Sequence, residues 1–154
     1  MPQPDLVIFD CDGVLVDSEI IAARVEAELL TLAGYEISAE ELAETYAGLT
    51  FKDIMMRVEE KSLIPFQASL IDKAEELVDR KLRSDVRAID GVRDAVAGVT
   101  APKCVCSNSR SERIEFMLEK VNLLPFFAGR IFSALEIPTA KTKPAPDEIG
   151  RAHV

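Results

Sequence analysis

Asp10 and Asp12 stand one residue apart directly behind the apolar run Leu6-Val7-Ile8-Phe9, and Gly13 follows them. In an extended segment residues i and i+2 point the same way, so both carboxylates can face one ligand. One carboxylate can attack an electrophile and form a covalent aspartyl intermediate. The other can protonate the leaving oxygen and then take a proton from water. Two anions this close need a cation. Mg²⁺, with its oxygen ligands, suits phosphate chemistry, which makes Asp10 and Asp12 candidate metal ligands as well. A simple polar turn would explain Asp12-Gly13, but not a carboxylate ending so apolar a run.

The elements that must position this pair follow from the pattern around it. The run before Asp10 predicts a strand buried on both faces, as in a parallel sheet. Asp10 then lies at the carboxyl end of the strand, where open α/β sheets bind ligands. Ser18 is a good N-cap for a helix carrying Ile20, Ile21, Val25, Leu29 and Leu32 and reaching Gly34. Ser38-Ala39-Glu40-Glu41 reads as a capping box for a second helix to about Tyr46. Gly48-Leu49 breaks the chain, Thr50 caps a third helix to about Lys61, and Pro65 marks a fourth to about Arg83. From about Val86 the pattern returns to α/β. A helix opens at Asp90-Gly91 and runs through Gly98, and Lys103-Cys104-Val105-Cys106 is a short buried strand ending in Ser107-Asn108-Ser109. Another helix presents Ile114, Met117, Leu118 and Val121 on one face, and Arg130-Ile131-Phe132 is a third strand. Strands alternating with helices predict an α/β fold with a doubly wound, parallel, Rossmann-like sheet and an inserted four-helix cap. The expected organisation is a core of residues 1–16 and 85–147, a cap of residues 17–84, and a separate tail of residues 148–154.

The chain has 154 residues, 48% hydrophobic and 29% charged, with a formal net charge of −9. That balance is an ordinary globular one. The acidity argues against nucleic acid or an anionic membrane as partner. No apolar run approaches the roughly 20 residues of a membrane span, and no secretory signal pattern opens the chain. A cytoplasmic setting is expected. Cys11, Cys104 and Cys106 are expected to be reduced, small, buried hydrophobes rather than a metal or redox site.

The string Phe9-Asp10-Cys11-Asp12-Gly13-Val14-Leu15-Val16-Asp17-Ser18 closely resembles the first motif of the haloacid dehalogenase-like hydrolases, in their phosphatase and β-phosphoglucomutase branch. The resemblance implies phosphoryl transfer with Asp10 as nucleophile, Asp12 as general acid and base, Mg²⁺ as cofactor and Gly13 on the phosphate side. Val105-Cys106-Ser107-Asn108 resembles the second motif, which implies that Ser107, with Asn108 beside it, holds the transferring phosphoryl group. Helix capping by Ser109 or Ser111 is the competing use of this stretch. Lys141-Thr142-Lys143-Pro144 resembles the third motif, with Lys143 as the neutralising lysine and Lys141 its competitor. The helical insert resembles the family's substrate-reading cap. Gly48, Thr50 and Lys52 are its candidate substrate contacts, against plain capping by Thr50.

The resemblance runs from residue 5 to about residue 147. The family's fourth, acidic motif has no counterpart after Asp147, and residues 148–154 match the translation of a sequencing adapter. The expectation is a truncated reading frame with an exposed sheet edge, weakened Mg²⁺ binding and little turnover in the chain as it stands. Three uses stay open: a phosphatase for a small phosphorylated metabolite, a phosphomutase of the β-phosphoglucomutase type, and an inactive fragment.

Overall fold

The computed structural model describes residues 4–65, 67–127 and 129–136. The chain divides into two compact units, Met1–Asp17 with Val86–Val154, and Ser18–Asp85. The first is an α/β unit. Its strands β1 (Val7–Phe9), β2 (Lys103–Ser107) and β3 (Ile131–Ser133) form a parallel sheet in the order β1-β2-β3. The register sets Phe9 beside Val105 and Ser107 beside Ser133. The polar residues that follow Phe9 and end β2 and β3 therefore gather at one end of the sheet.

Burial follows position in this sheet. β2 lies between the other two strands, and Cys104, Val105, Cys106 and Ser107 are buried. Val7, Ile8 and Phe9 are only half-buried, although their unbroken apolar run predicts burial on both faces. The reason is positional: among the described residues β1 pairs on one side only, with β2. Phe9 still meets the buried Phe127 edge to face, ring centroids 5.6 Å apart, a favourable aromatic geometry.

Among the described residues this unit also holds two α-helices. Helix α5 (Val92–Gly98) opens behind Gly91, whose φ of +76° suits a residue without a Cβ. The ammonium of Lys103 closes its far end by donating to the carbonyls of Val96 (2.9 Å) and Val99 (2.6 Å). Helix α6 (Ser111–Lys120) buries Ile114, Met117 and Leu118. Val121, expected on the same face, is its half-buried C-terminal cap residue instead.

The second unit is helical: α1 (Ser18–Leu32), α2 (Ala39–Thr45), α3 (Phe51–Ser62) and α4 (Ala68–Asp85). α1 packs on both α2 and α4, and α3 packs on α4. Being flanked in this way, α1 buries Ala23, Ala27 and Leu30 as well as the expected Ile21, Val25 and Leu29. Leu32, expected on the apolar stripe, is 76% exposed at the end of the helix, and Ser18, expected to cap α1, is its first helical residue. The Ser38 hydroxyl accepts the Glu41 N–H at the start of α2. The full reciprocal box lies one helix later. Thr50 Oγ1 accepts the Asp53 N–H, and the Asp53 carboxylate accepts the Thr50 N–H.

All three cysteines are buried, and burial pushes the Cys104 thiol up from its ordinary range. Among the described residues no helix is long and apolar enough to cross a membrane.

The chain leaves the α/β unit after Asp17 and re-enters it at Val86, and these two passages are bound together. Asp17 N–H donates to the Arg87 carbonyl (3.0 Å), Arg87 N–H donates to Asp17 Oδ1 (2.8 Å), and Ile89 N–H donates to the Leu15 carbonyl (3.1 Å). Asp17→Ala removes one of these bonds at a partly exposed position. It should lower unfolding stability by about 0.5–1.5 kcal/mol, while Asp17→Asn, which keeps an acceptor oxygen, should recover most of the loss. Urea unfolding midpoints of the three proteins measure this. An unchanged midpoint for Asp17→Ala would show that the bond adds nothing.

Candidate active site

Asp10 is the first residue beyond β1, where the strand's hydrogen bonding ends. Its carboxylate turns back to accept the Cys11 N–H at 2.8 Å, which fixes the side chain at the root of the loop. The loop itself is a tight knot around one carbonyl. Cys11 C=O accepts the N–H groups of Val14 (3.2 Å), Leu15 (2.9 Å) and Val16 (3.3 Å), and Gly13 N–H donates to the Val16 carbonyl (2.8 Å). Gly13 has φ +74°, which glycine adopts without strain. Cys11, Leu15 and Val16 are fully buried beneath the loop, while Asp10 and Gly13 are exposed and Asp12 is half-buried. The apolar side chains thus anchor the loop from below and leave its acidic members accessible.

The second component comes from the end of β2. Ser107, fully buried, donates its hydroxyl to Asp12 Oδ2 at 3.1 Å, and Ser109 donates to the same oxygen at 2.8 Å. Ser107 Oγ in turn accepts the Ser109 N–H at 3.0 Å. The third component is Ser133 at the end of β3. It is 1% exposed, donates to the Ser109 carbonyl at 2.6 Å and accepts the Leu135 N–H at 3.2 Å. Three parallel strands thereby contribute to one hydroxyl–carboxylate network. Helix α6 begins just after it, and a helix N-terminus favours anions.

The structure therefore brings together Asp12 and Ser107, residues 95 apart in sequence. Asp10 and Gly13 belong to the same loop, and Asn108 is exposed beside Ser107. Gly48, Thr50 and Lys52 belong to the helical unit, where all three are exposed, Gly48 has φ +78° and Thr50 is the N-cap of α3. Lys143, its competitor Lys141 and the tail of residues 148–154 lie outside the described residues.

Local sequence does not mark the roles of two serines in this network. Ser109 was a capping candidate, yet α6 has Arg110 at its N-cap with no side-chain cap bond, and Ser111 is its first helical residue. The Ser109 hydroxyl is spent on Asp12 instead. Ser133 carried no signal except its place behind an apolar strand. Among the described residues no cluster of three or more His, Cys, Asp or Glu side chains can hold a metal. Asp10 and Asp12 remain a donor set that fits Mg²⁺, which takes few protein ligands and completes its shell with water and substrate oxygens.

The haloacid dehalogenase-like hydrolase family profile matches residues 7–153. The 6-phosphogluconate phosphatase of Escherichia coli K12 is 32% identical over 148 residues, covering 94% of this chain, and the chain spans 66% of that relative's length. A conserved haloacid dehalogenase-like protein of unknown function from Agrobacterium tumefaciens C58 superposes with a TM-score of 0.90 at 54% identity, over 96% of this chain and 67% of that one. A hydrolase from Deinococcus radiodurans, solved with bound phosphate and sodium, superposes with a TM-score of 0.73 at 26% identity, over 96% of this chain and 65% of that one.

Ser133 satisfies two main-chain groups while almost wholly buried. Ser133→Ala removes the partner of both, at a cost of about 1–3 kcal/mol. Ser133→Thr, which keeps the hydroxyl, should cost less than Ser133→Ala. Chemical denaturation of the two variants beside the wild type checks this, and equal stability of Ser133→Ala and the wild type would count against it.

Proposed function

This chain belongs to the haloacid dehalogenase-like hydrolase family, and we propose that it is a Mg²⁺-dependent phosphatase of small phosphorylated metabolites, sugar phosphates above all. The observation that carries the reading is the hydrogen bond from Ser107 to Asp12, which joins the two motifs a phosphoryl group has to touch. The likeness to a 6-phosphogluconate phosphatase supports a sugar phosphate as substrate.

In the proposed reaction an Asp10 carboxylate oxygen attacks phosphorus. The bond from phosphorus to the ester oxygen breaks, and Asp12 gives that oxygen its proton. Water then attacks the aspartyl-phosphate, Asp12 takes back a proton, and inorganic phosphate leaves with the Asp10 carboxylate restored. Ser107 holds a non-bridging phosphoryl oxygen, with Asn108 and Gly13 lining the same side. Lys143 is assigned the neutralising role on resemblance alone, and so are Gly48, Thr50 and Lys52 in substrate choice. Asp10 and Asp12 would hold Mg²⁺, which would supply charge neutralisation, usually a large catalytic contribution. No membrane or nucleic acid has a part in this scheme, and a cytoplasmic setting suits its substrate.

The test is the full-length gene product assayed against a panel of phosphate monoesters that includes 6-phosphogluconate, with Mg²⁺ and after chelation. Chelation should abolish turnover. Asp10→Asn should leave a folded protein without measurable activity. Asp12→Ala should slow an alkyl phosphate by about 10²–10⁴-fold, and p-nitrophenyl phosphate by clearly less, because its leaving group needs little protonation. Turnover of no monoester, or a fully active Asp10→Asn variant, would overturn the assignment.

A further inference from the structure

We propose that Ser109 is a residue that keeps Asp12 oriented during turnover, and that the buried Ser133 positions Ser109 to do so. The proposal rests on the phosphatase reading above. Its starting point is a conflict over one proton. A serine hydroxyl has a single hydrogen to donate. In the structure Ser107 gives it to Asp12 Oδ2 at 3.1 Å, while its oxygen accepts the Ser109 N–H at 3.0 Å. The phosphatase reading asks the same hydrogen for a phosphoryl oxygen. When Ser107 turns to the substrate, Asp12 loses that donor at the moment when its orientation matters.

Ser109 has no such second duty. Its hydroxyl lies 2.8 Å from Asp12 Oδ2, closer than that of Ser107. Its main chain is fixed on both sides, the N–H by Ser107 Oγ and the carbonyl by Ser133 Oγ at 2.6 Å. Ser133 is 1% exposed and also takes the Leu135 N–H, so its own hydroxyl is locked by the turn that follows β3. The line from Ser133 through Ser109 to Asp12 thus aims a donor at the carboxylate from a point that substrate binding leaves alone. Proton transfer needs the acid within hydrogen-bond reach of the leaving oxygen and well directed toward it. Ser109 is a positioning residue for that step. It also explains why the hydroxyl points away from α6 and leaves the helix without a side-chain cap.

The experiment compares Ser109→Ala, Ser109→Thr and Ser133→Ala in the full-length gene product, with an alkyl phosphate and with p-nitrophenyl phosphate. A misdirected acid forfeits part of its usual 10²–10⁴-fold contribution, so Ser109→Ala should lower kcat on the alkyl ester by about tenfold or more. The loss with p-nitrophenyl phosphate should be several-fold smaller, and KM should hold. Ser109→Thr should restore most of the alkyl-ester rate, and Ser133→Ala should reproduce the leaving-group pattern more weakly. Ser109→Cys replaces Ser109→Ala if the latter does not fold. Equal losses on both esters, or a change in KM alone, would overturn the proposal. Wild-type turnover of the two esters tests the phosphatase reading separately. If the wild type turns over neither, that reading falls, and the crystal structure of Ser109→Ala decides this one. An Asp12 carboxylate swung from its wild-type direction supports the proposal; one that keeps its place overturns it.

Discussion

A carboxylate set at the end of a packed sheet must be held by something that is not water, and what holds it decides what chemistry it can do. Asp12 is held by two serine hydroxyls. A hydroxyl donates a hydrogen bond without bringing a formal charge. An arginine or lysine in the same place would neutralise the carboxylate and stabilise it as one half of an ion pair. The two serines orient Asp12 through Oδ2 without adding a formal charge. Two ion pairs of α4, Arg80 with Glu76 and Lys81 with Asp85, are exposed and lie far along the chain from the acidic loop. Surface pairs of this kind contribute little to stability.

The network in turn depends on the register of the sheet. Ser107 and Ser133 are paired neighbours because β2 and β3 run parallel with Val105 beside Ile131. A slip of one residue would turn each side chain of a strand to the opposite face. Ser133 would then lose the Ser109 carbonyl, and the buried Cys104 and Cys106 would change sides as well. The core therefore enforces the site. Ile114, Met117 and Leu118 of α6, together with Leu123 and Phe127, are buried to 1% exposure or less, and they fit only one placement of the helix that follows Ser109. Packing that is costly to disturb is what converts three short strands into an arrangement defined to within hydrogen-bond tolerance.

Local patterns carried much of this and missed a definite part of it. Asp10-Cys11-Asp12-Gly13 behind an apolar run located the acidic loop, because strand, carboxylates and glycine are all encoded within a few neighbouring residues. The helices were legible from caps and spacing, with ends moved by two residues or so, as at α4. Burial was less legible, because it depends on neighbours that the pattern does not name. Val7, Ile8 and Phe9 are equally apolar whether β1 is paired on one side or two. Leu32 fits the apolar stripe of α1 but extends beyond its neighbours. Ser109 is the clearest case. A serine shortly before a helix looks like a cap in any single sequence, and only the arrival of Asp12 from 97 residues away gives its hydroxyl another partner. Contacts of that range leave no trace in local spacing.

The same range raises a problem that the fold answers at Asp17 and Arg87. Ser18–Asp85 separates the acidic loop from every other part of its network. Closing a loop of that length carries an entropy cost, though one that grows only slowly with length. What a long insertion endangers is precision rather than overall stability, since any freedom at its two ends passes directly into the loop that bears Asp10 and Asp12. The paired bonds between Asp17 and Arg87, and the bond from Ile89 to Leu15, fasten the two ends to each other. The buried Leu15 and Val16 fasten them to the core. The acidic loop is thus bounded by β1 on one side and by this clasp on the other. Along the chain, a stretch that is hydrogen-bonded and packed lies between the insertion and the carboxylates. A site built from residues some 95 positions apart can then keep angström-scale geometry without requiring rigidity of everything between them.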